Sequence, residues 1–225
     1  MSTSALGQLS LFAEYSAASY CSNNINSTGN ALSCEEGNCP SVQSADTTTL
    51  WEFDRYGLTP RLLRSRLTDT FFYIRDCSYG NVAGFLAVDK TNKLLVVSFR
   101  GSRSISTWIA NINFGLTDAS SLCSGCEAHS GFLESWETVA DDLTSKIKSA
   151  QSTYSGYTLV LTGHSFGGAV AALGGTALRN GGSTLSLVST FWVNYWYYTN
   201  IQPIVYLRPA TSWKWGIGYL HHKPG

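Results

Sequence analysis

The chain has 225 residues, 44% of them hydrophobic and 13% charged, about half the charged share of an ordinary soluble domain. That excludes a disordered polymer and leaves apolar material for a sizeable core. Fifteen basic residues balance fifteen acidic ones, so global charge offers nothing to nucleic acid, and no apolar run reaches the ~20 residues of a membrane span.

From the N-terminus, Leu6, Leu9, Phe12 and Ala13 recur at helical spacing and predict an amphipathic helix over 4–20. The N-terminus carries no basic-plus-apolar leader pattern, so the chain reads as a mature form behind an added Met1. Residues 22–45 are rich in Ser, Asn and Gly and read as a cystine-stapled loop. The six cysteines include Cys34-x4-Cys39 and Cys123-x2-Cys126. Zinc would want four ligands with pairs at both ends, and His129 is the only histidine near either pair. Disulfides in a secreted protein are the favoured reading, with no metal site, and the sequon Asn26-Ser27-Thr28 fits secretion.

Val82 to Val88 and Lys93 to Phe99 predict two strands joined by the turn Asp89-Lys90-Thr91-Asn92. Phe132, Trp136, Val139, Leu143 and Ile147 mark one helical face. Glu134 and Glu137 lie early on it and Lys146 and Lys148 late, as the helix dipole favours. Tyr157 to Thr162 predicts a buried strand, and Phe166 to Leu178 a helix of mostly small residues. The alternation of strand and helix argues for an α/β sheet.

Gly163-His164-Ser165-Phe166-Gly167 has the pattern G-x-S-x-G of a nucleophile elbow. The pattern also occurs in plain turns, and its context decides. Leu159-Val160-Leu161 precedes it as a strand, and Gly168 to Leu173 follow it as a helix. A tight strand-to-helix turn strains the serine backbone, so flanking glycines avoid a Cβ clash. The hydroxyl then sits at a helix N-terminus, where the amide of Phe166 can stabilise an oxyanion. Ser98 to Ser104 follow a strand end, a place for a second oxyanion donor at Ser102, or for an ordinary polar turn. Ile105, Trp108, Ile109 and Ile112 then form an apolar stripe on a short helix, either a lid over the site or a helix docked on the core.

Val97-Ser98-Phe99-Arg100-Gly101-Ser102, the Trp108 helix, Cys123-Ser124-Gly125-Cys126, His129-Ser130-Gly131-Phe132 and Gly163 to Ala169 resemble the filamentous-fungal class 3 lipases. The resemblance covers roughly 1–55 and 79–187. It implies an α/β-hydrolase fold with a central, mostly parallel sheet. It also implies Ser165 as nucleophile, Ser102 and Phe166 as oxyanion donors, and the Ser104–Asn113 helix as lid. Disulfides Cys34–Cys39 and Cys123–Cys126 follow from it too. The implied function is a secreted serine carboxylester hydrolase, a triacylglycerol lipase. It would need no cofactor and act as a monomer on lipid or aryl esters at an oil–water interface, with neither nucleic acid nor a transmembrane segment involved. The rivals are a feruloyl esterase on the same fold and a catalytically dead chain that only binds lipid interfaces. In the family Cys21 pairs with a cysteine near the C-terminus, and no such cysteine exists here.

Two stretches depart from the family, dividing the chain into a lipase-like domain over 1–187, interrupted by an insert at 56–78, and a tail at 188–225. The triad of this fold runs Ser, then acid, then His, yet every acidic residue lies at or before Asp142. His221 and His222 follow Ser165 without an acid to orient them. The C-terminal part of the fold is therefore expected to be missing. Four of the nine arginines (Arg61, Arg64, Arg66, Arg75) crowd the insert, and four of the seven tryptophans (Trp192, Trp196, Trp213, Trp215) the tail.

Back-translation makes both stretches readable as retained introns. Val188-Ser189 permits the donor GTAAGT, Thr199-Asn200 the branch sequence ACTAAC, and Ile204 with the first base of Val205 the acceptor ATAG. Excision there shifts the frame, and the codons of Val205 to Lys214 then permit the family-like Tyr-Thr-Tyr-Gly-Gln-Pro-Arg-Val-Gly-Asn. At 56–78 a GTAT-type donor, a CTAAC-type branch at Leu67-Thr68 and TGCAGC at Cys77-Ser78 allow in-frame excision joining Arg55 to Tyr79. The rival is a genuine insertion. Without both stretches the remainder holds eight basic and thirteen acidic residues.

Overall fold

The computed structural model describes residues 3–55, 60–64, 71–75, 82–102, 115–122, 125–180 and 189–193, with backbone alone at 60–64, 71–75, 189–193, Ala5 and Asn180. The order begins with helix α1 (Thr3–Ala18), a short 3-10 turn (Ser22–Asn24) and α2 (Pro40–Ser44). Strands β1 (Thr47–Arg55), β2 (Pro60–Arg64), β3 (Phe71–Arg75), β4 (Val82–Asp89) and β5 (Leu94–Phe99) follow, then the short strands β6 (Leu116–Asp118) and β7 (Glu127–His129). The remainder is α3 (Ser130–Glu137), α4 (Ala140–Thr153), β8 (Thr158–His164), α5 (Phe166–Asn180) and β9 (Ser189–Val193).

The main sheet has the order β1-β4-β5-β8-β9. The β1–β4 and β4–β5 pairs are antiparallel, and β5–β8 and β8–β9 parallel. The sheet is thus mixed, its parallel half being the one that carries Ser165. Residues 189–193, at the start of the expected tail, are its last described strand. Among the described residues β2 and β3 pair only with each other, as a two-stranded hairpin separate from the main sheet.

Side chains alternate across the sheet, as strand geometry requires. Leu86, Val88, Leu95, Val97, Phe99, Leu159 and Leu161 face a core shared with α3, α4 and α5. Phe85, Ala87 and Val96 face a second core with Tyr15, Ala18, Leu32 and Val42. The result is helices on both faces of one sheet, each fully buried Leu or Phe contributing about 1.5–3 kcal/mol.

The first helix forms where the spacing predicts, but its buried side differs. Leu6 is 55% exposed, whereas Tyr15, Ser16 and Ala18 are buried. Polar anchors hold that side. Ser16 Oγ lies 2.8 Å from Thr162 Oγ1 on β8, Thr162 donates to the Phe12 carbonyl, and Ser98 donates to the Tyr15 carbonyl. The Tyr15 hydroxyl donates to Asp89 Oδ2 at 2.7 Å. Asp89 is fully buried and also accepts from the Asn92 amide and side chain, closing the predicted turn. Burial, and then the Asp89 carboxylate, push the Tyr15 hydroxyl pKa well above its ordinary value.

The single helix expected over Phe132–Ile147 is two helices. Val139, at φ −120°, separates α3 from α4. All five stripe residues are nonetheless buried in the same core. The periodicity carried through the break because both helices offer the same face to the sheet.

Candidate active site

β5 and β8 lie side by side and parallel, with Phe99 opposite Gly163. Ser102 leaves the first strand three residues later, and Ser165 leaves the second two residues later. Both therefore emerge at one carboxyl-end edge of the sheet, where open α/β sheets build their sites.

Ser165 sits alone between β8 and α5 with φ +54°, left-handed backbone that costs a non-glycine residue on the order of 1–3 kcal/mol. Its carbonyl accepts from the Gly168 and Ala169 amides and so starts the helix. The turn is tight enough to dictate its neighbours. A Cβ on Gly163 would strike the Gly167 backbone and come within 2.7 Å of the Gly168 nitrogen. One on Gly167 would strike the Phe99 carbonyl, 2.8 Å from its carbon. The elbow is thereby pressed onto the end of β5, beside the Ser102 loop.

Phe166 opens α5, so its amide lies at the positive end of the helix dipole. Its buried ring stands edge-on to Phe132 with centroids 5.8 Å apart, and Phe132 packs on the buried His129 ring at 4.6 Å. These contacts account for part of the His129–Phe132 motif as packing. Ser165 is half-buried, and among the described residues no hydrogen bond engages its hydroxyl.

One site residue escaped the sequence reading. The Tyr20 hydroxyl, just past α1, lies 3.0 Å from His164 Nδ1. The Gly101 backbone packs closely against the same phenol oxygen. The consistent direction is Tyr20 O–H to a neutral Nδ1. Burial pushes the His164 pKa down, which favours that neutral ring. Burial raises the Tyr20 pKa, against the lowering effect of the Gly101 amide and then Arg100. Tyr20 thus stands against both the Gly101 backbone and the elbow on the helix side. Arg100 adds an ion pair to Asp54 on β1 at 3.8 Å. No short-range pattern marks Tyr20, whose partner is 144 residues away.

The expected lid, with Ile105, Trp108 and Ile109, lies outside the described residues, as do His221, His222 and Cys123. The Cys34–Cys39 disulfide is present. Cys126 is disulfide-bonded, and Cys21 is a free thiol. Among the described residues no cluster could hold a metal ion, and no helix is long and apolar enough to cross a membrane. An open groove of about 350 Å³ between Trp136, Ala140, Thr144 and Leu178 includes none of the predicted site residues.

Comparison with known proteins adds independent findings. The family model described as lipase (class 3) matches residues 96–193, and that of the lipase 3 N-terminal region matches 1–51. A secreted mono- and diacylglycerol lipase A of Penicillium cyclopium is 38% identical over 183 residues, covering 81% of this chain and 53% of the relative. A secreted mono- and diacylglycerol lipase 1 of Fusarium solani is 30% identical over 187 residues, covering 83% and 49%. The crystal structure of a mono- and diacylglycerol lipase from Aspergillus oryzae superposes with a TM-score of 0.64 at 35% identity, covering 80% of this chain and 59% of that one. The chain spans about half the length of the curated relatives it matches.

Proposed function

Since the chain belongs to the class 3 lipase family, with an α/β-hydrolase fold, we propose that it is a secreted serine carboxylester hydrolase acting on acylglycerols through an acyl-enzyme on Ser165. The observation that carries this is the strained Ser165 backbone at the junction of β8 and α5, pressed against the end of β5. Such a turn presents the hydroxyl outward and sets it beside helix-N-terminal amides.

In the proposed reaction Ser165 Oγ attacks the ester carbonyl, and its proton passes to a base. The Phe166 and Ser102 amides hold the oxyanion, the alcohol leaves, and water releases the acid. Tyr20 keeps the two donor loops in register. The lid role of Ser104–Asn113 and adsorption as a monomer to a lipid–water interface belong to the same reading. Relatives named for mono- and diacylglycerols make partial glycerides the first substrates to set beside triacylglycerol.

The base is the weak point of these 225 residues. No acidic residue follows Ser165 to orient His221 or His222, and an unoriented histidine loses about 10⁴ in rate in the serine-protease case. This chain is therefore expected to hydrolyse p-nitrophenyl butyrate about 10⁴-fold more slowly than a class 3 lipase with its triad complete, with Ser165→Ala removing what remains. Hydrolysis at a full lipase rate that survives Ser165→Ala would refute the assignment.

A further inference from the structure

The loop after α1 holds two asparagines put to different use. Asn24 is buried, donates to the Ala18 and Ser33 carbonyls and accepts from the Ser33 amide. Asn26 is exposed, at φ +56°, a left-handed conformation that asparagine tolerates better than most residues. The loop around Asn26 is fixed without its side chain. Glu52 on β1 accepts from the Asn26 amide at 2.7 Å, the Ser27 amide at 2.6 Å and the Thr28 hydroxyl at 3.1 Å. The Gly29 amide donates to the Thr49 carbonyl, and the Thr49 amide to the Asn30 carbonyl. Among the described residues nothing hydrogen-bonds the Asn26 carboxamide.

We infer that Asn26 is an acceptor for an N-linked oligosaccharide. Asn26-Ser27-Thr28 is the only N-x-S/T triplet in the sequence. Its asparagine is the one member whose side chain makes no hydrogen bond among the described residues. The donor class is an oligosaccharide on a lipid diphosphate. The Asn26 Nδ2 nitrogen forms a bond to the anomeric carbon and gives up one proton. The bond from that carbon to the diphosphate oxygen breaks, and the lipid diphosphate leaves with the electron pair. The proposal rests on the secreted reading for its occurrence in the cell.

The position suits a bulky, soluble group. The loop flanks β1, the edge strand of the main sheet, and edge strands need cover against pairing with other chains. Ser165 follows β8, three strands along, or about 14 Å at the usual inter-strand spacing. A glycan on Asn26 therefore attaches beyond the sheet edge and not at the Ser165 turn.

The test is cell-free translation of the full chain, behind a cleavable secretory leader, with microsomes. The protease-protected chain is expected to run one glycan heavier, and endoglycosidase should reverse the shift. Asn26→Gly, which suits the left-handed backbone, should abolish the shift without reducing protection, and Thr28→Ser should retain it. A protected wild-type chain without the shift, or a shift surviving Asn26→Gly, overturns the proposal. Failure of the secreted reading would show elsewhere, as natural chain absent from the culture medium while the microsome shift persists.

Discussion

Arg55 and Val82 face each other as the last antiparallel pair of β1 and β4, although residues 56–81 run between them. Arg55 is further fixed by its guanidinium, 2.8 Å from Asp142 on α4. Among the described residues, the hairpin β2–β3 within 56–81 pairs with no strand of the main sheet. Joining Arg55 to Tyr79 would leave Tyr79-Gly80-Asn81 to link the paired ends, a usual hairpin length. Deleting 56–78 should therefore leave a folded domain, stabilised by up to about 2 kcal/mol through lower loop-closure entropy. A urea midpoint at or above that of the parent supports the reading of 56–78 as an insert. Loss of cooperative unfolding would make the hairpin part of the fold.

The same reading makes a prediction at the level of the transcript. Spliced messenger RNA should lack the codons of 56–78 and of the stretch that begins at Val188. Beyond it the frame should shift to Tyr-Gly-Gln-Pro-Arg-Val-Gly-Asn. Sequencing the mature transcript decides this, and one that encodes both stretches intact refutes the intron reading.

His164 couples the elbow to pH. Burial holds its pKa below the ordinary value, so the unfolded chain binds more protons in the window beneath about pH 6.5. Stability is fully present above that value and declines as pH falls through the folded pKa. The difference in unfolding free energy between pH 7.5 and pH 5 should be smaller in His164→Gln than in the parent. Equal differences would show that the ring titrates as it does in the unfolded chain.

Tyr20→Phe removes the hydroxyl that reaches His164 Nδ1. Leaving that partly buried partner unsatisfied costs about 1–3 kcal/mol. The neutral imidazole also loses the donor that favours it, so the His164 pKa should rise. Denaturant unfolding reads the first effect and NMR titration of the ring the second. An unchanged pKa would mean that the phenol does not donate to Nδ1.

Gly167→Val places a branched side chain against the Phe99 carbonyl. Overpacking of this kind costs about 1–3 kcal/mol, and here it would also lift the elbow off β5. Ser165 reactivity should fall well beyond what the stability loss explains. A variant with normal Ser165 reactivity would show that the close approach is incidental.

What the sequence disclosed follows from distance along the chain. The elbow was legible because strand, turn and helix are contiguous, and Gly163 records a steric demand made by Gly167 and Gly168, within five positions, whereas the demand on Gly167 comes from Phe99. Cys34 and Cys39 are equally local. The buried side of α1 was misplaced because counting apolar residues passes over Ser16, whose burial depends on Thr162. Tyr15–Asp89 and Tyr20–His164 join residues far apart, with no pattern at either end. The break at Val139 was hidden because two helices present one continuous apolar face.

The most direct test of the central claim is to map the covalent adduct left by a p-nitrophenyl alkylphosphonate, which reacts as an ester and stays on the nucleophile. After prolonged incubation, peptide mass spectrometry of the full chain should find one phosphonyl group, on Ser165, and none in Ser165→Ala. An unlabelled parent, or label on another residue that persists in Ser165→Ala, would contradict the assignment of Ser165 as the nucleophile.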